Sequence, residues 1–158
     1  MTKFTLIPDE ATYGVRFQSG VIYVGLEGGV GRTRKDFDGA SRIVDVSFFT
    51  NDLGYQYLVS FFETIIDQGA IPFEIDLLID NNALEEYSAI MIPGSFSLDR
   101  SSGTSHTVSM QLEVEPQFVD DDYNSSYFDL YSAYGDDTLN WLNTLEFLTN
   151  TTMPATLF

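Results

Sequence analysis

Residues 105–116 read SHTVSMQLEVEP. Successive side chains of an extended chain point to opposite faces. His106, Val108, Met110, Leu112 and Val114 therefore share one face, and Thr107, Ser109, Gln111, Glu113 and Glu115 the other. So long an alternation predicts a strand with one dry and one wet side, as antiparallel sheets provide. The same period returns at Arg42–Thr50, where Val44, Val46 and Phe48 oppose Ile43, Asp45 and Ser47. It returns again at Pro72–Asp80, where Phe73, Ile75, Leu77 and Ile79 form the apolar set. A turn at Asn81-Asn82-Ala83 would send the chain back through Glu86–Ile92 as a hairpin. Ser95–Leu98 is expected to be a short strand, closed by a turn at Arg100–Gly103, against which the quoted strand pairs. Three more short strands are expected at Phe4–Ile7, Val15–Phe17 and Val21–Leu26.

Between these strands the period changes. In YQYLVSFFETIIDQG the apolar residues Tyr57, Leu58, Phe61, Phe62, Ile65 and Ile66 recur in pairs every four positions, which predicts one helical stripe. Thr50, Asn51 and Asp52 offer caps, Gly69 ends the helix, and Pro72 blocks its continuation. Residues 25–41, GLEGGVGRTRKDFDGAS, read as a long loop, because glycines weaken regular structure and loops of this length tend to be functional. After Pro116 the composition shifts to acidic and aromatic. Asp120, Asp121 and Asp122 read as a solvated turn, and TLNWLNTLEFLTN (138–150) as a second helix, capped by Asp136 or Asp137 with a weaker stripe. The expected fold class is α+β: an antiparallel β-sandwich or barrel with one flanking helix and a C-terminal helical extension. Residues 1–116 would form the β domain and 117–158 the extension.

The chain of 158 residues carries 24 Asp and Glu against 7 Lys and Arg, a formal charge of −17. Such a surface repels nucleic acid and anionic membrane. The charge is uneven: after Arg42 the only basic residue is Arg100. Bound cations or a partner with positive charge would relieve the repulsion, as would plain tolerance of it. No cysteine is present, so disulfides, thiolate metal sites and cysteine nucleophiles are excluded. MTKFTLIPDE has no apolar run long enough for a signal peptide, and no window approaches a membrane span. The sequons at Asn124 and Asn150 read as chance matches.

No catalytic motif emerges, and no cofactor or metal site is expected. His106 is the only histidine, which excludes multi-histidine metal sites. On the apolar face of its strand it reads as a structural residue, and no G-x-S-x-G accompanies it. The glycines at 25, 28, 29 and 31 lack the Walker spacing. Arg32, Arg34 and Lys35 form the one basic knot. They can pair with Asp36 and Asp38 beside them, or meet the acidic surface of an identical neighbour. Leu157 and Phe158 end the chain as a second contact candidate. Tyr123, Tyr127, Tyr131 and Tyr134 suggest an alternative, a glycan- or receptor-binding module. A hydrolase with paired carboxylates is a further alternative that no residue pair singles out.

The order VSFFT, YLVSFFETIIDQG, IPFEIDL, YSAIMIPGSFSL and HTVSMQLEVEP resembles the small minor tail and distal tail-tip proteins of long-tailed bacteriophages, over Val15 to Pro116. The resemblance implies a non-enzymatic, tail-tube-like virion subunit. It implies a ring of identical subunits, expected to be hexameric, in contact with other tail or neck proteins. Residues 43–49, 73–79, 87–92 and 106–114 would be wall strands, Tyr57–Ile66 the helix packed outside the sheet, and Gly25 to Ala40 an inter-ring arm. An acidic lumen would let DNA pass without specific binding.

Overall fold

The computed structural model describes residues 1–80, 83–117, 121–138, 140 and 142–144. Contacts divide the chain into two units, Met1–Gln117 and Phe118–Phe158.

The first unit runs β1 (Thr2–Lys3), β2 (Gly14–Phe17), β3 (Val21–Leu26), β4 (Gly29–Lys35), β5 (Arg42–Asn51), α1 (Asp52–Ser60), β6 (Phe73–Leu77), β7 (Glu85–Met91), β8 (Ser97–Ser102) and β9 (Ser105–Val114). One sheet has the order β1-β6-β7-β9-β5-β2, with β8 also on β9, while β3 and β4 pair only with each other. β1 lies parallel to β6, and the other pairs are antiparallel. The fold is therefore α+β with a mixed sheet. Among the described residues its ladder does not close into a barrel.

The stretch that predicted a strand is the centre of this sheet. β9 pairs along its whole length with β5, from Arg42↔Val114 to Asn51↔Ser105. Its other side is shared, β7 facing Leu112–Val114 and β8 facing Ser105–Ser109. β7 and β8 run the same way, so together they act as one strand interrupted by residues 92–96. Ser95 bridges the interruption. Gln111 N donates to its hydroxyl at 3.1 Å, and that hydroxyl donates to Ile92 O at 2.7 Å. β8 extends past the expected turn at Arg100–Gly103. Asp99 sits as an extra residue in a bulge between Leu98 and Arg100, and Gly103, at φ +60°, makes the reversal itself.

The dry face is the alternating one. Val44, Val46 and Phe48 of β5, Val108, Met110, Leu112 and Val114 of β9, Phe73, Ile75 and Leu77 of β6 and Tyr87, Ala89 and Met91 of β7 are all buried. The helix covers this face. Asn51 caps it by accepting from Gly54 N at 2.9 Å, an arrangement worth about 1 kcal/mol. The helix begins at Asp52, five residues before the apolar stripe, and its last turn is π-helical over Phe61–Ile65. Ile66 N therefore bonds Phe61 O, at 3.0 Å. The wider turn brings Leu58, Phe61 and Ile66 into the core and leaves Ile65 exposed, which four-residue spacing does not foresee. Gly69 follows at φ +100°, where a Cβ would press on Met91.

The start of the chain differs from expectation. Phe4–Ile7 is not a strand; pairing stops at Lys3, and Phe4 N makes one more bond, to Glu74 O. β1 and β2 lie at opposite ends of the sheet order, so residues 4–13 cross from one edge to the other. Phe4 is buried in that crossing, with ring centroids 4.7 Å from Phe61, 5.3 Å from Phe48 and 6.0 Å from Phe73. Burying such a ring outweighs the cost of leaving the ladder. Asp9 N then bonds Ser47 O at 2.8 Å.

In the second unit the expected turn at Asp121 and Asp122 is the start of α2 (Asp121–Tyr134), followed by a 3-10 turn at Gly135–Asp137. Acidic residues suit a helix N-terminus, where the backbone N–H groups are unsatisfied. Described residues at 138, 140 and 142–144 are helical. Asp120 and the rest of the expected 138–150 stripe lie outside the described residues, as do Leu157 and Phe158.

Candidate assembly interface

Residues 25–41 are not a loop for most of their length. β3 and β4 form a hairpin in the register Val21↔Lys35, Ile22↔Arg34, Tyr23↔Thr33 and Val24↔Arg32. Glu27-Gly28 makes the two-residue turn, with Gly28 at φ +81°. Glycine is tolerated inside β4 because the Tyr23 ring covers Gly31 from the facing strand. At the base, Asp36 N donates to Gly20 O at 2.7 Å, and a Cβ on Gly20 would run into the Phe37 carbonyl.

This hairpin is an arm with both faces in solvent. Apart from half-buried Gly31, every residue of its two strands is exposed. Tyr23 is 68% and Val30 92% exposed, with Ile22, Val24 and Leu26 also open. A lone two-stranded hairpin is marginal in water, and a ribbon that is apolar on both sides gains most from a covering partner.

The register splits the basic knot. Arg32 and Arg34 stand opposite Val24 and Ile22 on one face, and Lys35 stands opposite Val21 on the other. Arg34 pairs with Asp36 at 3.0 Å and Lys35 with Asp38. In the body, Lys3 holds Asp76 and Glu86, Arg16 holds Asp45, and Arg42 faces Asp80. Arg32 and Arg100 have no carboxylate within ion-pair distance among the described residues.

The wet side of the main sheet is acidic. Glu74, Asp76, Glu86, Glu113 and Asp45 lie opposite the buried positions, and among the described residues Lys3 and Arg16 balance part of that charge. Three crevices are described. One is lined by Ser and Thr hydroxyls with Asp45, Asp99, Val46 and Met110, another by Ser41, Ser88, Glu113 and Glu115 with Pro72, Ala89 and Ile90. Hydrogen bonds from Ser109 and then Ser97 hold the Asp99 carboxyl below its ordinary pKa. The third, of about 420 Å³, is mostly apolar and lies between the N-terminal segment and the end of β6.

Both ring nitrogens of His106 have partners. Its Nε2 lies 2.7 Å from Asp52 Oδ1, its Nδ1 lies 3.0 Å from Ser101 Oγ, and its ring packs on Tyr55. Sequence reading missed this Ser–His–Asp chain, since Asp52 and Ser101 meet His106 only through strand register and the helix start. Ser101 lies on an open edge strand, and none of the described crevices is lined by any of the three. Nor was Arg42–Asp80 foreseen. Their side chains are 14% and 13% exposed and 3.4 Å apart. Asp80 also accepts from Tyr87 OH and Gln117 N. In the second unit, Tyr123, Tyr127, Tyr131 and Tyr134 follow helical spacing along α2 and are all exposed. Tyr131 OH donates to Asp136, which raises its pKa.

No protein-family model matches this chain, and searches of curated proteins and of solved structures find no significant match.

Proposed function

We propose that the chain is a non-enzymatic wall subunit that assembles with identical copies into a ring, as a component of a bacteriophage tail or tail tip in the virion. The observation that carries this reading is the arm, an exposed hairpin with apolar residues on both faces. The sheet supports it in a second way, with one face dry and covered and the other acidic. Facing inward, that acidic side would line a lumen past which DNA slides without binding. The sequence order from VSFFT to HTVSMQLEVEP, which resembles small tail and tail-tip proteins, favours the virion setting.

Native mass spectrometry and electron microscopy of the purified chain test the reading. A discrete ring, expected to be hexameric, with the Glu113 face inward is the expected result. A monomer at every concentration, or a ring whose lumen is basic or neutral, speaks against it. The tyrosine row of α2 favours a second reading, a glycan- or receptor-binding module. That reading expects a monomer or trimer retained on a glycan array.

A further inference from the structure

We infer that the arm of one copy docks in the apolar groove between the N-terminal segment and β6 of a second copy. This rests on the assembly reading above and names its contact. The arm's strands are exposed, and among the described residues none of them lines this groove of its own chain. The occupant proposed is the arm of a second copy.

Three properties of the groove match one face of the arm. Ile7, Pro8, Tyr13, Leu77, Leu78 and Leu84 make it the most apolar of the three crevices, the other two mixing hydroxyls and carboxylates with their apolar lining. The arm face that carries Ile22 and Val24 supplies aliphatic side chains to fill it. The same face carries Arg32, which has no carboxylate partner among the described residues, and the groove carries Glu10. The charge balance of the whole chain points the same way. The arm with its base, Val21 to Asp38, holds three cations and three acids and is neutral, so the whole charge of −17 lies on the rest of the molecule. Two copies joined arm to groove set Arg32 against Glu10, whereas groove to groove brings like charges together. Such a contact uses different surfaces on the two partners. It closes into a ring when the rotation per subunit allows and extends as a filament when it does not.

The absence of cysteine makes the contact directly testable. Val24→Cys and Ile7→Cys chains, both altered at exposed positions, are mixed and mildly oxidised. A mixture of Val24→Cys and Ile90→Cys serves as the comparison, because Ile90 lines the crevice with Glu113. The expected result is a covalent Val24→Cys/Ile7→Cys dimer in large excess over the comparison pair. Arg32→Glu is expected to weaken self-association at least about tenfold. Assembled protein that links position 24 to 90 and not to 7 overturns the groove assignment and leaves the assembly reading standing. Wild-type protein that stays monomeric by native mass overturns both.

Discussion

The Tyr23 ring lies against Gly31 on the facing strand of the arm, so close that any Cβ at residue 31 would overlap it. Gly31→Ala is expected to displace the ring, on the face opposite Ile22 and Val24, and so to distort the pairing that shapes the arm. Because the arm lies outside the core, the unfolding free energy of the body from urea titration should stay within about 0.5 kcal/mol of wild type. Native mass spectrometry at matched concentration should show weaker assembly. A large loss of stability with unchanged assembly would contradict the separation of arm from core.

Arg42 and Asp80 form the most enclosed ion pair among the described residues. Arg42 Nε is buried without a hydrogen bond, so the pair depends on the carboxylate. Asp80→Ala is expected to cost about 3 kcal/mol, because it removes the carboxylate facing a largely buried guanidinium and leaves that cation with the Ala40 carbonyl and the Phe17 ring. The double change Arg42→Met with Asp80→Leu should recover most of that loss. Chemical denaturation of the three variants measures the difference directly.

Burial raises the pKa of Tyr87, and of Tyr13, above the ordinary tyrosine value. A phenol that resists ionisation in the folded state contributes stability that is fully present below its unfolded pKa of about 10. That contribution is lost as pH rises through the folded value. The thermal midpoint should therefore fall above about pH 10, and fall less steeply in Tyr87→Phe. Thermal melts between pH 8 and 11.5 check this. An identical alkaline slope in both proteins would count against buried Tyr87 as a source.

Phe4 sits where the N-terminal segment crosses the sheet, against Phe48, Phe61 and Phe73. Phe4→Ala should cost about 3–5 kcal/mol. Gly69→Ala acts at one local site, adding a side chain at φ +100° beside Met91, and should cost about 1–3 kcal/mol. Urea titration separates the two magnitudes.

The sheet's dry face was legible because alternation is a direct image of the pleat: Val108 to Val114, Val44 to Phe48 and Phe73 to Ile79 each read inward and each is buried. The helix was legible from its stripe, but the π turn that selects Ile66 over Ile65 leaves no mark in spacing. The arm was hidden by its glycines, although Glu27-Gly28 between two apolar runs was the available hairpin signal. β1 was displaced because Phe4 gains more from the core than from a ladder position. Of the candidate contact residues, the basic knot was visible as composition. Its division into Arg32 alone and two locally paired cations depends on register, which only the folded hairpin fixes. The Ser101–His106–Asp52 chain was invisible for the same reason.

The crossing made by residues 4–13 has a consequence for how the chain is born. Thr2 and Lys3 leave the ribosome well before their strand partners Phe73 and Glu74. Contacts so distant in sequence form slowly, because a long loop must close before they give any return. These two residues thus wait for a strand made much later, and until they settle the outer border of β6 stands open to any neighbour.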